Sequence, residues 1–121
     1  MDSPVIWMTT VNPHGQPQTS PVWYILEEDE LLMYSLDSAR VRNLAANPHV
    51  ALNLDGNGQG GDIVTLEGTA RIVTDHAPCW EVDDYIVKYG ARIARMNHTP
   101  ESFGRKYHKV VLIRLTGGRI W

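Results

Sequence analysis

Cysteine is nearly absent. Cys79 stands alone in 121 residues, which excludes an intrachain disulfide and a cysteine-based zinc cluster and fits a reducing, cytoplasmic compartment. Ala77, Pro78 and Trp80 surround it without an adjacent base, so a structural role outweighs a nucleophilic one. No apolar run approaches the roughly 20 residues that span a bilayer. The chain enters Pro4-Val5-Ile6-Trp7 without a basic region and signal core, so neither membrane insertion nor export is expected. Positive charge is also scarce: 11 Lys and Arg face 14 Asp and Glu, a net charge of −3. General nucleic-acid affinity is therefore not expected. The five histidines, at 14, 49, 76, 98 and 108, never take the paired helical spacing of a zinc protease, and no neighbouring carboxylate completes a hydrolytic motif. No metal site and no catalytic side chain is assigned.

Phenylalanine occurs once, against four Trp and five Tyr. Flat rings with a polar edge suit a ligand or subunit surface as well as a core. The length allows one domain, residues 1–121, with one core. Strands are expected at Val5 to Val11, Thr19 to Leu26, Leu31 to Ser35, Val50 to Leu54, Asp62 to Thr74 and Lys109 to Leu115. Turns are expected at Asn12-Pro13-His14-Gly15, at the acidic Glu27 to Glu30 and at Thr116-Gly117-Gly118. Val64, Leu66, Gly68, Ala70 and Ile72 share one face of the longest strand, and its small residues permit a bend or a close backbone approach. Short helices are expected over Ala39 to Ala46, from Pro78 to Lys88 or Tyr89 with Gly90 interrupting, and from Thr99-Pro100-Glu101. The glycine-rich Asp55 to Gly61 lacks the Gly-Lys-Ser/Thr ending of a nucleotide-triphosphate loop. This mainly β order with short helices favours a small closed or nearly closed barrel of six strands.

One stretch carries chemistry. Ser35-Leu36-Asp37-Ser38-Ala39-Arg40-Val41-Arg42-Asn43-Leu44 leads from a strand into a helix opened by Asp37 or Ser38. Free backbone N–H groups at a helix start, beside Arg40 and Arg42, suit an anion such as a phosphate. Capping and ordinary ion pairs are the plain alternative. Gln18-Thr19-Ser20-Pro21-Val22-Trp23-Tyr24 places donors ahead of an aromatic strand, as a planar cofactor would require, although a mixed surface-to-core strand reads the same way.

These segments also resemble a known family. The markers are Thr9 to Gly15, Pro21 to Tyr24, Tyr34-Ser35, Ala39 to Pro48, Glu67-Gly68-Thr69-Ala70 and Lys88-Tyr89-Gly90. In order and spacing they resemble the split β-barrel flavin and deazaflavin oxidoreductases related to pyridoxamine 5′-phosphate oxidase, especially the small actinobacterial members that use coenzyme F420. The resemblance implies a six-stranded FMN-binding type of split barrel, assembled as a homodimer with cofactor sites at the interface. It implies cofactor phosphate at the basic residues Arg40 and Arg42, with Asn43 and Leu44 completing the cofactor-binding element and Ser35 and Ser38 in the associated donor region. Thr19, Ser20, Pro21, Val22 and Trp23 would lie beside the ring, and Trp121 would contribute to the partner's site. The implied cofactor is F420, with FMN as the alternative; Arg42, Arg92, Arg95, Arg105, Lys106 and Lys109 could serve the longer anionic tail of F420. The implied reaction is hydride transfer from reduced deazaflavin to a small conjugated organic acceptor. A non-catalytic carrier or sensor is the alternative.

Overall fold

Alternating burial along the first strand sets the pattern of the sheet. Ile6, Met8 and Thr10 are buried, while Trp7, Thr9 and Val11 between them are only partly covered. The computed structural model describes residues 3–121. Among these, seven strands form one sheet: β1 (Ile6–Val11), β2 (Pro17–Val22), β3 (Ile25–Glu27), β4 (Glu30–Ser35), β5 (His49–Leu54), β6 (Val64–Val73) and β7 (Lys109–Ile120). Their order is β2-β1-β5-β6-β7-β4-β3, and every neighbouring pair is antiparallel.

The expected six-stranded split barrel is corrected on both counts. There are seven strands, and the sheet does not close, because no ladder joins β2 to β3 at its two ends. The cause lies at Trp23-Tyr24, where the expected strand Thr19 to Leu26 breaks. The Tyr24 N–H donates to the Tyr89 hydroxyl at 2.8 Å. The Tyr24 carbonyl accepts from Lys88 Nζ at 3.0 Å, and the Tyr89 hydroxyl lies 2.9 Å from it. Side chains from a helix thus take the place of a neighbouring strand, and the chain passes from one end of the sheet to the other.

Two cores result from period-two alternation. On one face Leu31, Met33, Val111 and Ile113 join Ile6, Met8, Val50, Leu52 and Ala70, and the sheet curls around them. Val64, Leu66 and Ile72 pack on the same cluster, which is the shared face expected for this strand. On the other face Leu32, Tyr34, Val110 and Leu112 meet the helices. The first helix, α1 (Ala39–Ala46), buries Val41, Asn43 and Leu44 and leaves Ala45 exposed. A 3-10 turn at Cys79–Glu81 precedes α2 (Asp83–Arg95) and α3 (Pro100–Lys106). Gly90 does not interrupt α2, whose buried face of Tyr85, Tyr89 and Ile93 continues past it. Thr99 caps α3 in a reciprocal box with Ser102. No helix among the described residues is long and apolar enough to cross a membrane.

The expected turn at Thr116-Gly117-Gly118 is absent, because β7 runs on to Ile120. Val64 to Glu67 would otherwise lose their partner on that side of the sheet, and β7 supplies it. Gly68 opposes Leu115 and Glu67 opposes Gly117, so Thr116 is an extra residue in a bulge. A Cβ on Gly118 would lie 2.7 Å from Leu66 Cδ2. Gly118 thus admits a close strand rather than a reversal.

The Tyr89 hydroxyl is the test of the strand break. Tyr89→Phe leaves the buried Tyr24 N–H without its acceptor and is expected to cost about 1–3 kcal/mol of unfolding free energy. Urea unfolding of the two proteins measures it; a change below about 0.3 kcal/mol would show that the break does not depend on this contact.

Candidate functional site

Helix α1 starts on Ser38, but the Ser38 hydroxyl does not cap it. The first intrahelical bond runs from Arg42 N–H to Ser38 C=O at 3.1 Å, so the N–H groups of Ala39, Arg40 and Val41 precede it. Ser38 Oγ and Arg40 Nε are both buried and meet no hydrogen-bond partner among the described residues. Burial holds the Arg40 guanidinium below its ordinary pKa. Two unpartnered donors beside a helix N-terminus form an anion cradle.

Arg40 stands between two cavities. The first, of about 270 Å³, is lined by Gln18, Thr19, Ser20, Ser38, Arg40 and Asn43 with Thr10 and Ala39. The second, of about 180 Å³, is walled by Pro21, Val22, Trp23, Tyr34, Ser35, Arg40 and, from the helical layer, Tyr85, Phe103 and Tyr107. Neither alone reaches the roughly 300 Å³ of an ordinary small-molecule site, and Arg40 is the wall they share.

Nine of the eleven expected site residues therefore come together: Thr19, Ser20, Pro21, Val22, Trp23, Ser35, Ser38, Arg40 and Asn43. Two do not. Arg42 points outward, 4.0 Å from Asp37. Trp121 is 60% exposed, donates from Nε1 to Thr65 Oγ1 at 3.1 Å, and lines neither cavity. Within the nine, Asn43 and Ser35 already have internal duties. The Asn43 amide donates to Thr10 Oγ1 (3.1 Å) and Gln18 Oε1 (2.8 Å), which fixes α1 against β1 and β2. The Ser35 hydroxyl donates to Leu36 C=O at 2.8 Å. Thr19 shares a 2.7 Å hydroxyl contact with Thr9.

Trp23 is half-buried within a run of stacked rings. Tyr89 lies 4.6 Å away at 4°, Phe103 lies 5.5 Å away at 15°, and Tyr107 stacks on Phe103 at 4.3 Å. Tyr24 points into the core, 1% exposed, so the two adjacent aromatics divide between site and interior. Sequence reasoning missed Tyr85, Phe103, Tyr107 and Met96 as lining residues; the one signal for them was the surplus of Tyr and Trp over Phe. The Tyr85 hydroxyl is buried without a partner, and burial pushes its pKa far up, with Cys79 and neighbouring tyrosines adding to the shift. It holds its proton as a donor, on a residue that lines the second cavity. Burial likewise pushes the Cys79 thiol up to about 11, in keeping with a structural role.

Beyond Tyr34 and Tyr107 lies a third cavity, of about 460 Å³, on whose rim His76 sits. His76 Nε2 is 2.7 Å from Glu27 Oε1 and Nδ1 is 2.8 Å from the Ala77 carbonyl. A carbonyl and a carboxylate both accept, so the arrangement favours the imidazolium form. Burial opposes that charge, but the Glu27 and Ala77 contacts and Asp75 outweigh it and raise the pKa. Among the described residues no group of three or more His, Cys, Asp or Glu could hold a metal.

The family model described as pyridoxamine 5′-phosphate oxidase matches residues 1–121. Among solved structures, one described as an F420 reductase is 21% identical, with 98% of this chain and 91% of that chain covered and a TM-score of 0.71. A conserved hypothetical protein from Mycobacterium tuberculosis is 22% identical, covering 98% and 77%, with a TM-score of 0.73. A FAD-binding protein from Mesorhizobium loti is 18% identical, covering 96% and 82%, with a TM-score of 0.71. No curated protein gives a significant match. At these identities the likeness is one of fold, and it agrees with the pyridoxamine 5′-phosphate oxidase family model that covers the chain.

Two outcomes follow from the site. Tyr85→Phe removes an unpartnered buried hydroxyl and is expected to raise unfolding stability by about 1 kcal/mol; a loss of that size would show that the hydroxyl is satisfied internally. Because the folded pKa of His76 is raised, its contribution is whole below the ordinary value of 6.5 and is lost as pH rises through the folded value. Stability should therefore fall as pH rises above 6.5. Glu27→Gln should flatten that fall in denaturant titrations at several pH values, and an unchanged slope would exclude the pair as its source.

Proposed function

We propose that this chain, which belongs to the pyridoxamine 5′-phosphate oxidase family, is an F420-dependent reductase of a small conjugated organic acceptor. The observation that carries the reading is the pair of buried, unpartnered donors Ser38 Oγ and Arg40 Nε at the start of α1, where the two cavities meet. These groups fit a phosphate. The aromatic wall of Trp23, Tyr34, Phe103 and Tyr107 beside them fits the edge of a planar ring.

Bound deazaflavin would supply the hydride; the protein supplies position, exclusion of water and fixed dipoles. Arg40 and Ser38 would hold the phosphate, and Asn43 keeps α1 seated so that they face it. Trp23 would bound the ring, braced from behind by Tyr89 and Phe103. The Tyr85 hydroxyl offers a hydrogen bond in the same cavity. No side chain is assigned as the acid that completes acceptor reduction.

The choice of deazaflavin over FMN rests on the resemblance and on the relative described as an F420 reductase; a relative described as FAD-binding keeps flavin as the second reading. Homodimerisation is part of the proposal. An open apolar groove of about 640 Å³ crosses β1, β5 and β6 along Val11, Ala51, Ile63 and Leu66, and a second copy would cover it.

Titration with F420 and with FMN tests the reading. Arg40→Ala is expected to weaken cofactor binding about 10- to 150-fold, the equivalent of one charge-assisted contact. Binding of FMN alone overturns the deazaflavin choice, and binding of neither overturns the cofactor site. Oxidation of reduced F420 should accompany reduction of quinones or enones. Binding without turnover over a broad panel would favour a carrier. In light scattering the protein should run as a dimer, and a mass of 13.6 kDa at all working concentrations would exclude it.

A further inference from the structure

The third cavity is the largest of the three that share walls around Tyr34, Tyr107 and Arg40. It shares Tyr34 and Tyr107 with the aromatic cavity as common walls, and it has no lining residue in common with the anion cradle. Its chemistry is one-sided. Arg105, His108 and Lys109 line it beside His76, and among the described residues no carboxylate does. Among the described residues, Arg105 and Lys109 have no acidic partner within 4.0 Å. The nearby carboxylate Glu27 is committed to His76. Trp80 and Tyr107 add flat aromatic faces to a lining that also holds Ile72, Val73, Thr74 and His76. Trp80 rests on the backbone of α3 at Gly104, where a Cβ would collide with the indole ring.

We propose that this cavity is the binding site of the acceptor, and that the acceptor is a planar conjugated carboxylate. Its ring would lie along Trp80 and Tyr107, and its carboxylate would meet Arg105 and Lys109. This deepens the reductase reading and rests on it for the word acceptor; the binding site stands on its own geometry. The cavity volume falls within the range of an ordinary small-molecule site. The anionic tail of F420 is the competing occupant. In that cofactor the phosphate stands between ring and tail, so a phosphate at Arg40 with the ring toward Trp23 sends the tail away from this cavity. The ring end is the one that adjoins it.

The probes are 2-naphthoate and its uncharged analogue 2-naphthalenemethanol, titrated calorimetrically into the full-length, cofactor-free protein. Naphthoate is expected to bind saturably, and the alcohol at least about fivefold more weakly. Arg105→Ala and Lys109→Ala should each weaken naphthoate about fivefold, whereas Lys106→Ala, a neighbouring exposed charge that does not line the cavity, should leave it within about twofold. No saturable binding, equal binding of both probes, or equal loss in all three variants overturns the site. Arg40→Ala should weaken F420 and spare naphthoate. If Arg105→Ala and Lys109→Ala instead weaken F420 as much as Arg40→Ala does, the cavity belongs to the cofactor tail and the proposal is overturned. Failure of the parent protein to bind either F420 or FMN would overturn the reductase reading while leaving the naphthoate result to be read separately.

Discussion

The arrangement of this protein depends on how the backbone of one residue is satisfied. Tyr24 lies between β2 and β3, too deep for water to reach its backbone, and its N–H and C=O need partners there. The partners come from α2: the Tyr89 hydroxyl accepts the N–H, and Lys88 donates to the carbonyl. The single hydroxyl proton of Tyr89 has two acceptors in reach, Pro4 C=O at 2.8 Å and Tyr24 C=O at 2.9 Å. A helix thus closes hydrogen bonds that a strand would otherwise make. Because it does, the chain can leave β2 at one end of the sheet and begin β3 at the other. Trp23 is turned out of the ladder into the stack with Tyr89 and Phe103. The same contact that opens the sheet positions the wall of the aromatic cavity.

Two tyrosines one helical turn apart on α2 show the difference between architecture and site. Both Tyr85 and Tyr89 are fully buried, and burial raises the pKa of both. Tyr89 makes three close contacts through its hydroxyl, while Tyr85 makes none among the described residues. An unpartnered buried hydroxyl costs about 1–3 kcal/mol, and stability alone would favour Phe at position 85. Among the described residues three buried side-chain atoms lack a partner: Ser38 Oγ, Arg40 Nε and Tyr85 Oη. Two stand at the start of α1 and one on α2, and all three residues line the two cavities that share Arg40. Unsatisfied donors scattered through a core would suggest poor packing. Donors gathered on one pair of cavities suggest a ligand with acceptor atoms.

The parts legible in the sequence are those fixed by short-range pattern. Helix α1 is expected and found over Ala39 to Ala46, because Pro48 stops it and its apolar residues recur at helical spacing. The hairpin at Glu27 to Glu30 and the Pro100 start of α3 follow from turn and capping chemistry. The strand break at Trp23-Tyr24 was not legible, since its cause lies 65 residues away at Tyr89. Gly117-Gly118 reads locally as a turn; only the needs of β6 make it a strand. The site divides in the same way. The loop and helix around Ser38 and Arg40 could be read directly, whereas Tyr85, Phe103 and Tyr107 reach the cavity through the packing of α2 and α3 against the sheet.

The distribution of charge narrows what the gathered groups can do. The tyrosines facing the cavities hold their protons: burial raises Tyr34 as it raises Tyr85, and the Tyr34 hydroxyl donates to Ala77 C=O at 2.8 Å. Neither is a base near neutrality. Cys79 is buried and similarly protonated, and no carboxylate lines the first two cavities. The junction is therefore built of donors and one guanidinium, with no group suited to abstracting a proton. Such a surface can bind and orient an anion, and it can stabilise negative charge that develops on a neighbouring oxygen. Chemistry performed there must be brought by the ligand, which is the division of labour that cofactor-dependent hydride transfer requires.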